Sequence, residues 1–148
     1  MSADSSSGRR ALLAGWGRAT PSAAQLVEVD EDALADAVKA LPERGGSARG
    51  LGRSYGDTAQ DAGGHVIRLE PTHDAVAIDD TAGTVTVSAG VSIDDLLAII
   101  VPRGWFVPVT PGTKYVPIVG PIAAHVHRHD HHATGSPGAH DRATARAP

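Results

Sequence analysis

A-R-G-L-G-R-S-Y-G-D, residues 48–57, is the stretch of this sequence that decides its fold. It combines two arginines with three closely spaced glycines: Arg49, Gly50, Gly52, Arg53 and Gly56. Glycine lacks a Cβ, so the backbone can approach a ligand closely, and successive N–H groups can form an anion-binding nest. The planar guanidinium of arginine suits phosphate oxygens. The stretch therefore predicts a cradle for a pyrophosphate; the alternative is a tight glycine turn whose arginines are merely solvated.

A Rossmann dinucleotide site is the main rival for any loop of this composition. That site needs G-x-G-x-x-G between a strand and a helix, with an acidic residue about 20 positions further on. The spacing here is Gly50-x-Gly52-x-x-x-Gly56, and residues 57–64 carry no helical apolar stripe. The sequence therefore does not predict a Rossmann site.

Periodicity in the rest of the chain predicts an α+β order of short elements. Residues 30–41 have one apolar face and predict a helix. Ser92 and Asp95 form a capping-box pattern ahead of a second amphipathic helix, which we expect to end at 102–104. Strands are expected at 26–29, at 66–69 and just before Gly50, and a β-hairpin at 76–89.

Size, charge and the lack of cysteine limit the possible functions. The 148 residues suffice for one modest domain with a core. A net charge of −4 predicts no nucleic-acid partner, and no apolar run is long enough to form a transmembrane segment. The absence of cysteine excludes disulfides and thiolate metal sites. We expect a cytoplasmic protein.

Ordered motifs along the chain resemble the vanillyl-alcohol-oxidase/PCMH-type FAD-binding oxidoreductases, which include sugar and aldonolactone oxidases. Five landmarks carry the resemblance: Gly15-Trp16-Gly17-Arg18, the loop at 48–57, Ser88-Ala89-Gly90-Val91, the run at 108–113, and His127 followed by His131-His132. The resemblance implies the first FAD-binding subdomain of the PCMH-type fold plus the beginning of the second, over residues 12–140. We expect residues 1–11 to be disordered. Residues 141–148 depart from the family pattern, and we expect a disordered tail there.

The same resemblance implies FAD as cofactor and gives each matching position a role. Tyr55 stands where members with covalently attached flavin have a histidine, which implies that FAD is held non-covalently here. His127 matches a histidine near the isoalloxazine ring. The implied cofactor-binding residues are Arg49, Gly50, Leu51, Gly52, Arg53, Ser54, Tyr55, Gly56, Asp57, Gly112, Thr113, Ile118, Val119, Gly120 and His127.

The implied activity is oxidation of a sugar or lactone CH–OH group, with the flavin as hydride acceptor. Full-length family members are longer, so the resemblance also implies a truncated chain that lacks the substrate domain. The catalytic base is then unknown. A non-catalytic flavin- or nucleotide-binding fragment is the second hypothesis. Because the apolar segment 99–122 would lack its partner strands, we expect aggregation or a complementing chain that carries the rest of the flavin and substrate domains.

A histidine-rich tail supports a third hypothesis, a small metal-binding protein. Six of the eight histidines follow residue 124, and His125, His127, His129 and His131 alternate. On an extended strand these four side chains share one face, and imidazole binds Zn, Cu and Ni. Alternation alone does not provide the fixed geometry of a structural metal site, so no specific metal ligand is assigned.

Overall fold

The computed structural model describes residues 8–71 and 75–124. The chain divides into two compact units, with the boundary between Glu70 and Pro71. Both units combine strands with a helix, which confirms the expected α+β class. His127 and the other tail histidines lie outside the described residues.

The first unit is a four-stranded sheet with one helix. Its elements are β1 (Arg9–Leu13), β2 (Ser22–Val29), α1 (Glu31–Lys39), β3 (Gly46–Arg49) and β4 (His65–Leu69). The strand order is β1-β2-β4-β3; β1 is antiparallel to β2, whereas β2, β4 and β3 run parallel. The carboxyl ends of these three parallel strands therefore lie at the same edge of the sheet.

Strand β2 lies inside the sheet because it carries apolar residues on both faces, as buried parallel strands do. On one face Ala24 and Leu26 pack with Val66 and Leu13. On the other face Val27 and Val29 pack with Ile67 and with the apolar side of α1. The sheet is thus buried on both sides, and it holds β3 and β4 in a fixed register.

Helix α1 begins where the sequence predicts. The Asp30 carboxylate accepts a hydrogen bond from the Ala33 N–H at 2.9 Å, which satisfies one of the unpaired donors of the first turn. Ala33, Leu34, Ala37 and Leu41 pack on the sheet. The helix connects β2 to β3 across the face of the sheet and contacts β4, which lies between these two strands.

The second unit contains a hairpin and two helices. Its elements are β5 (Val76–Asp79), β6 (Thr84–Val87), α2 (Ile93–Ile100), a 3₁₀ turn (Val101–Arg103) and α3 (Val119–Ala123). Strands β5 and β6 pair antiparallel, which confirms the predicted hairpin. In its turn the Asp79 carboxylate accepts from the N–H groups of Thr81 and Ala82 at 3.0 and 2.9 Å.

Helix α2 confirms Ser92 as the predicted N-cap, and its partner Asp95 bonds to the Ser92 hydroxyl. The Ser92 hydroxyl accepts from the Asp95 N–H at 3.1 Å and donates to the Asp95 carboxylate at 2.6 Å. Leu96 and Ile100 are buried against the hairpin, together with Val91. Gly104, at φ 82°, ends the following 3₁₀ turn in the left-handed region, where glycine is the least strained residue.

One expectation about the N-terminus is wrong. Disorder was expected through residue 11, but Arg9–Leu13 forms strand β1. The polar composition of the first seven residues obscured this strand, whose register is fixed by pairing with β2 from Arg9 to Leu13. Residues 1–7 lie outside the described part of the chain.

Replacing Leu96 by alanine tests the core of the second unit. Leu96 is 1% exposed, so Leu96→Ala should lower the free energy of unfolding by about 2–5 kcal/mol through lost burial and the cavity left behind. Ile99 lies on the same helix but is 42% exposed, and Ile99→Ala should cost less than about 1 kcal/mol. Urea unfolding followed by circular dichroism measures both. Equal losses for the two variants would contradict the placement of α2.

Candidate functional site

The loop at 50–57 leaves the carboxyl end of β3, at the edge where parallel strands usually present their ligand sites. Gly52 and Gly56 adopt φ of 73° and 60°, which L-residues with side chains rarely adopt. A Cβ built on Gly56 meets nothing within 4 Å, so space lies open beside this part of the backbone. The loop therefore depends on glycine at these two positions for its conformation.

The backbone amides of this loop are available to a ligand. Within the described residues, no acceptor is hydrogen-bonded to the N–H groups of residues 51–57. Most of these residues are exposed, and Tyr55 is 80% exposed. Unpaired N–H groups next to positive-φ glycines are the structural requirement for an anion-binding nest.

The Arg49 side chain is directed into the protein. Its Nη1 donates to the Ala59 carbonyl and its Nη2 to the Ala14 carbonyl, each at 2.8 Å. Gly52 lies against this guanidinium, since a Cβ built there would be 2.4 Å from Nη2. Burial lowers the pKa of Arg49, as do the charges of Arg68 and Arg53, yet an arginine remains protonated at physiological pH. Arg49 thus joins the start of the loop to two other segments.

Residues Gly15 and Trp16 form a turn that supports the other end of the loop. The Trp16 N–H donates to the Ser54 carbonyl at 2.9 Å. A Cβ built on Gly15 would lie 2.1 Å from the Gly56 carbonyl oxygen, so only glycine fits against the loop here. The resemblance had drawn attention to 15–18 as a landmark, and the structure shows its physical role.

Arg53 is the exposed arginine of the loop. Its guanidinium lies over the Trp16 ring, 5.3 Å from the centroid, and its Nη1 donates to the Leu51 carbonyl at 2.8 Å. Arg53 and Arg49 therefore make different contacts, although nothing in the surrounding sequence predicts the difference.

Gln60 is a site residue that the sequence gave no reason to select. It is 2% exposed, which is unusual for glutamine. The Ser22 hydroxyl donates to its side-chain oxygen at 2.7 Å, and its amide nitrogen donates to the Gly56 carbonyl at 3.4 Å. Gln60 thus joins the end of the loop to β2, and only the long-range pairing reveals it.

A cavity of about 400 Å³ adjoins the start of the loop, and arginines from three strands line it. They are Arg9, Arg10, Arg49 and Arg68. Glu28 forms ion pairs with Arg9 and Arg68, and Arg68 also pairs with Glu70 at 2.6 Å. The cavity is therefore a polar, positively biased surface continuous with Gly50 and Leu51.

The other predicted contact residues belong to the second unit. The Thr113 hydroxyl accepts from the Tyr115 N–H at 3.2 Å, and Gly112 has open space where a Cβ would project. Ile118 and Val119 donate backbone hydrogen bonds to the carbonyls of Val91 and Ala89 at 2.8 and 3.3 Å.

Helix α2 also contacts this segment: the Asp94 N–H donates to the Lys114 carbonyl at 3.0 Å, and the Lys114 ammonium donates to the Asp94 carboxylate, which raises the pKa of Lys114. Gly120 lies inside α3 with Pro117 as its nearest neighbour, 3.9 Å from a built Cβ.

The structure groups nine of the predicted residues, Arg49 through Asp57, in the first unit and five in the second. His127 lies outside the described residues. Across residues 8–71 and 75–124, no cluster of three metal-binding side chains occurs, and the tail histidines are not part of that range. No helix in these same ranges is long and apolar enough to cross a membrane.

Comparisons with known proteins identify the family to which the chain belongs. The model of a family described as FAD binding domain matches residues 23–140. Over 134 residues the chain is 43% identical to decaprenylphosphoryl-beta-D-ribose oxidase of Mycolicibacterium smegmatis, a match that covers 88% of this chain and 29% of the relative. A second match, 39% identical over 46 residues, covers 31% of this chain and 12% of an uncharacterized protein in the mprA 5′ region of Streptomyces coelicolor. The chain thus spans less than a third of the length of these curated relatives.

Adding one methyl group at Gly15 tests the support of the loop. Gly15→Ala should disrupt residues 54–56, because its Cβ would collide with the Gly56 carbonyl. Gly17→Ala is the matched control, since nothing lies within 4 Å of a Cβ there. Amide hydrogen exchange should show faster exchange around Trp16 in Gly15→Ala only. Unchanged exchange in that variant would show that the turn does not support the loop.

Proposed function

The chain belongs to the FAD binding domain family, whose cofactor is FAD, and we propose that residues 50–57 bind the FAD diphosphate. The single observation that carries this proposal is the row of backbone N–H groups at 51–57, none of which bonds to an acceptor in the described residues. Peptide N–H groups bind phosphate oxygens without any charged side chain being required. Gly52 and Gly56 give the backbone the conformation that such binding needs.

The residues of the first unit fit a diphosphate in charge as well as in shape. Arg53 is exposed beside the loop, and Arg49 places a second positive charge behind it. The open space at Gly56 would admit a ligand atom where a side chain would otherwise project. Asp57, at the end of the loop, is negatively charged and does not attract phosphate. The loop amides and Arg53 therefore supply most of the attraction for the diphosphate.

In the second unit, we propose that Gly112, Thr113 and the segment 118–120 contact FAD. Gly112 and Gly120 support this role, because neither has a neighbouring atom within 3.4 Å of a built Cβ. Packing inside the protein therefore does not require glycine at either position, whereas close approach of a ligand would. His127 remains predicted as a neighbour of the flavin ring.

Non-covalent attachment is part of the proposal. Tyr55 is 80% exposed on the loop, at the position where family members with covalent flavin have histidine. A phenol does not provide the nucleophilic ring nitrogen of that histidine. FAD should therefore be exchangeable.

We propose oxidation of a sugar or lactone CH–OH group as the reaction to which this FAD site contributes. The support is the similarity to a protein named as a ribose oxidase. FAD, when bound, supplies a hydride acceptor; this chain binds and orients it. The chain matches 29% of that relative, so we propose that a further polypeptide segment supplies the substrate site.

Exposed apolar side chains in the second unit support such a complementing segment. Phe106 is 65% exposed, and five other large apolar side chains between residues 99 and 119 are also exposed. They are Ile99, Val101, Trp105, Tyr115 and Val119. A further chain covering this surface would bury area that otherwise favours association.

Displacement by inorganic pyrophosphate tests the cofactor assignment. If the loop binds the diphosphate non-covalently, pyrophosphate should release FAD from the full chain, whereas riboflavin, which has no phosphate, should not. Ultrafiltration followed by flavin fluorescence of the filtrate measures the release. Absence of FAD binding, FAD that pyrophosphate cannot displace, or displacement by riboflavin at equal concentration would each contradict the proposal.

Anaerobic reduction tests the reaction. The full chain is co-expressed with the part of the M. smegmatis relative that it does not match, and the complex is loaded with FAD. Adding that relative's sugar substrate should bleach the flavin absorbance, whereas the same complex carrying Gly15→Ala should bind less FAD and bleach less. A complex that binds FAD fully but stays yellow would support the second hypothesis, a non-catalytic FAD-binding fragment.

A further inference from the structure

We propose that Trp16 is a positioning residue of the diphosphate site: its ring holds the Arg53 guanidinium where that group can bind a phosphate oxygen. Arg49, by contrast, does not touch the ligand. This inference rests on the FAD-binding function proposed above. The two arginines are four positions apart, Arg49 at the end of β3 and Arg53 in the loop, and the structure gives them different environments. Trp16 comes from a different segment, before β2.

Arg53 has donors left for a ligand. A guanidinium carries five N–H groups in a fixed plane. One of them, on Nη1, donates to the Leu51 carbonyl, and no other acceptor among the described residues receives a bond from Arg53. Its planar face lies over Trp16, 5.3 Å from the ring centroid. An arginine held in this way loses less side-chain entropy when it binds phosphate than a free one does.

Trp16 is itself fixed on the loop. Its backbone N–H donates to the Ser54 carbonyl at 2.9 Å, and Gly15 contacts the Gly56 carbonyl so closely that no Cβ fits. Trp16 is 53% exposed, so burial in a core does not account for its position. Its described ring contact is the one with Arg53. The geometry therefore couples the Trp16 ring to one ligand-facing group.

Arg49 is held by two internal partners. Both of its terminal nitrogens donate to backbone carbonyls at 2.8 Å, those of Ala59 and Ala14. Turning the Arg49 guanidinium toward a phosphate bound at the loop amides would break these bonds and leave two carbonyls unpaired, which is costly for half-buried groups. Its role is to shape the loop, and its charge acts on the ligand from a distance.

Binding of inorganic pyrophosphate to the full chain tests these roles, measured by isothermal titration calorimetry. Trp16→Phe keeps an aromatic face for the guanidinium and should bind within about twofold of the parent. Trp16→Leu keeps apolar bulk without that face and should bind about threefold more weakly. Arg53→Gln should bind at least about tenfold more weakly, because a charge-assisted hydrogen bond is lost. The double variant Trp16→Leu/Arg53→Gln should bind no more weakly than Arg53→Gln alone.

The outcome for the double variant separates positioning from a structural role. If Trp16 acts through Arg53, its replacement has no further effect once Arg53 is gone; additive losses would overturn the proposal. Equal binding by Trp16→Phe and Trp16→Leu would also overturn it. Failure of the parent chain to bind pyrophosphate or FAD would instead refute the proposed function itself. Thermal unfolding of each apo variant shows whether it is folded. If Trp16→Leu unfolds, Trp16→Phe still tests the proposal, because a loss of more than about twofold in a folded variant that keeps an aromatic face would overturn it.

Arg49→Lys completes the comparison. Lysine keeps the positive charge but has no planar fork to reach two carbonyls at once. If Arg49 shapes the loop, the apo Arg49→Lys variant should unfold at a lower temperature than the apo parent. Arg53→Lys should leave the apo unfolding temperature unchanged and retain part of the pyrophosphate affinity. Normal apo stability of Arg49→Lys together with weaker binding would show that Arg49 contacts the ligand directly.

Discussion

The hydrogen bonds of the Arg49 guanidinium to the carbonyls of Ala14 and Ala59 are the constraint on which the site depends. These two bonds join the end of β3, the segment before β2 and the end of the glycine loop. Because the guanidinium is planar and its donors are fixed, these bonds restrict how the three segments can meet. The loop that follows Arg49 is not part of a strand. Its amides at 51–57 therefore have no ladder partner, and no acceptor among the described residues bonds to them. A ligand can therefore bind to a backbone that is already held in place.

The parallel strands place that constraint where a ligand can reach it. In an open sheet the carboxyl ends of parallel strands form the usual edge for ligand binding. β4 lies between β2 and β3, so the loop, the Glu28–Arg68 ion pair and the arginine-lined cavity occupy one edge. Gln60 connects the loop back to Ser22 on β2. Fold and site are thus linked by a few side chains that bond to loop carbonyls and leave the loop N–H groups unpaired.

The sequence predicted what is encoded locally and missed what depends on distant contacts. Ser92 and Asp95 announce helix α2, and the alternation of valines announces the hairpin, because caps and periodicity act within a few residues. The sequence does not predict strand β1, because Arg9 and Arg10 are polar and only the long-range pairing with β2 reveals the strand. The sequence singles out the stretch at 48–57 as a candidate site, but it gives no reason to assign Arg49 and Arg53 different roles. Their difference depends on Ala14 and Trp16, more than 30 positions away.

Hydrogen exchange of the backbone amides, with and without FAD, tests the central claim most directly. The full chain is compared with the same chain saturated with FAD, and exchange is read residue by residue. The account predicts new protection concentrated at residues 51–57, with no change at the amides of α1, which lies on the opposite face of the sheet. FAD binding that leaves the amides of 51–57 exchanging as fast as before would contradict it.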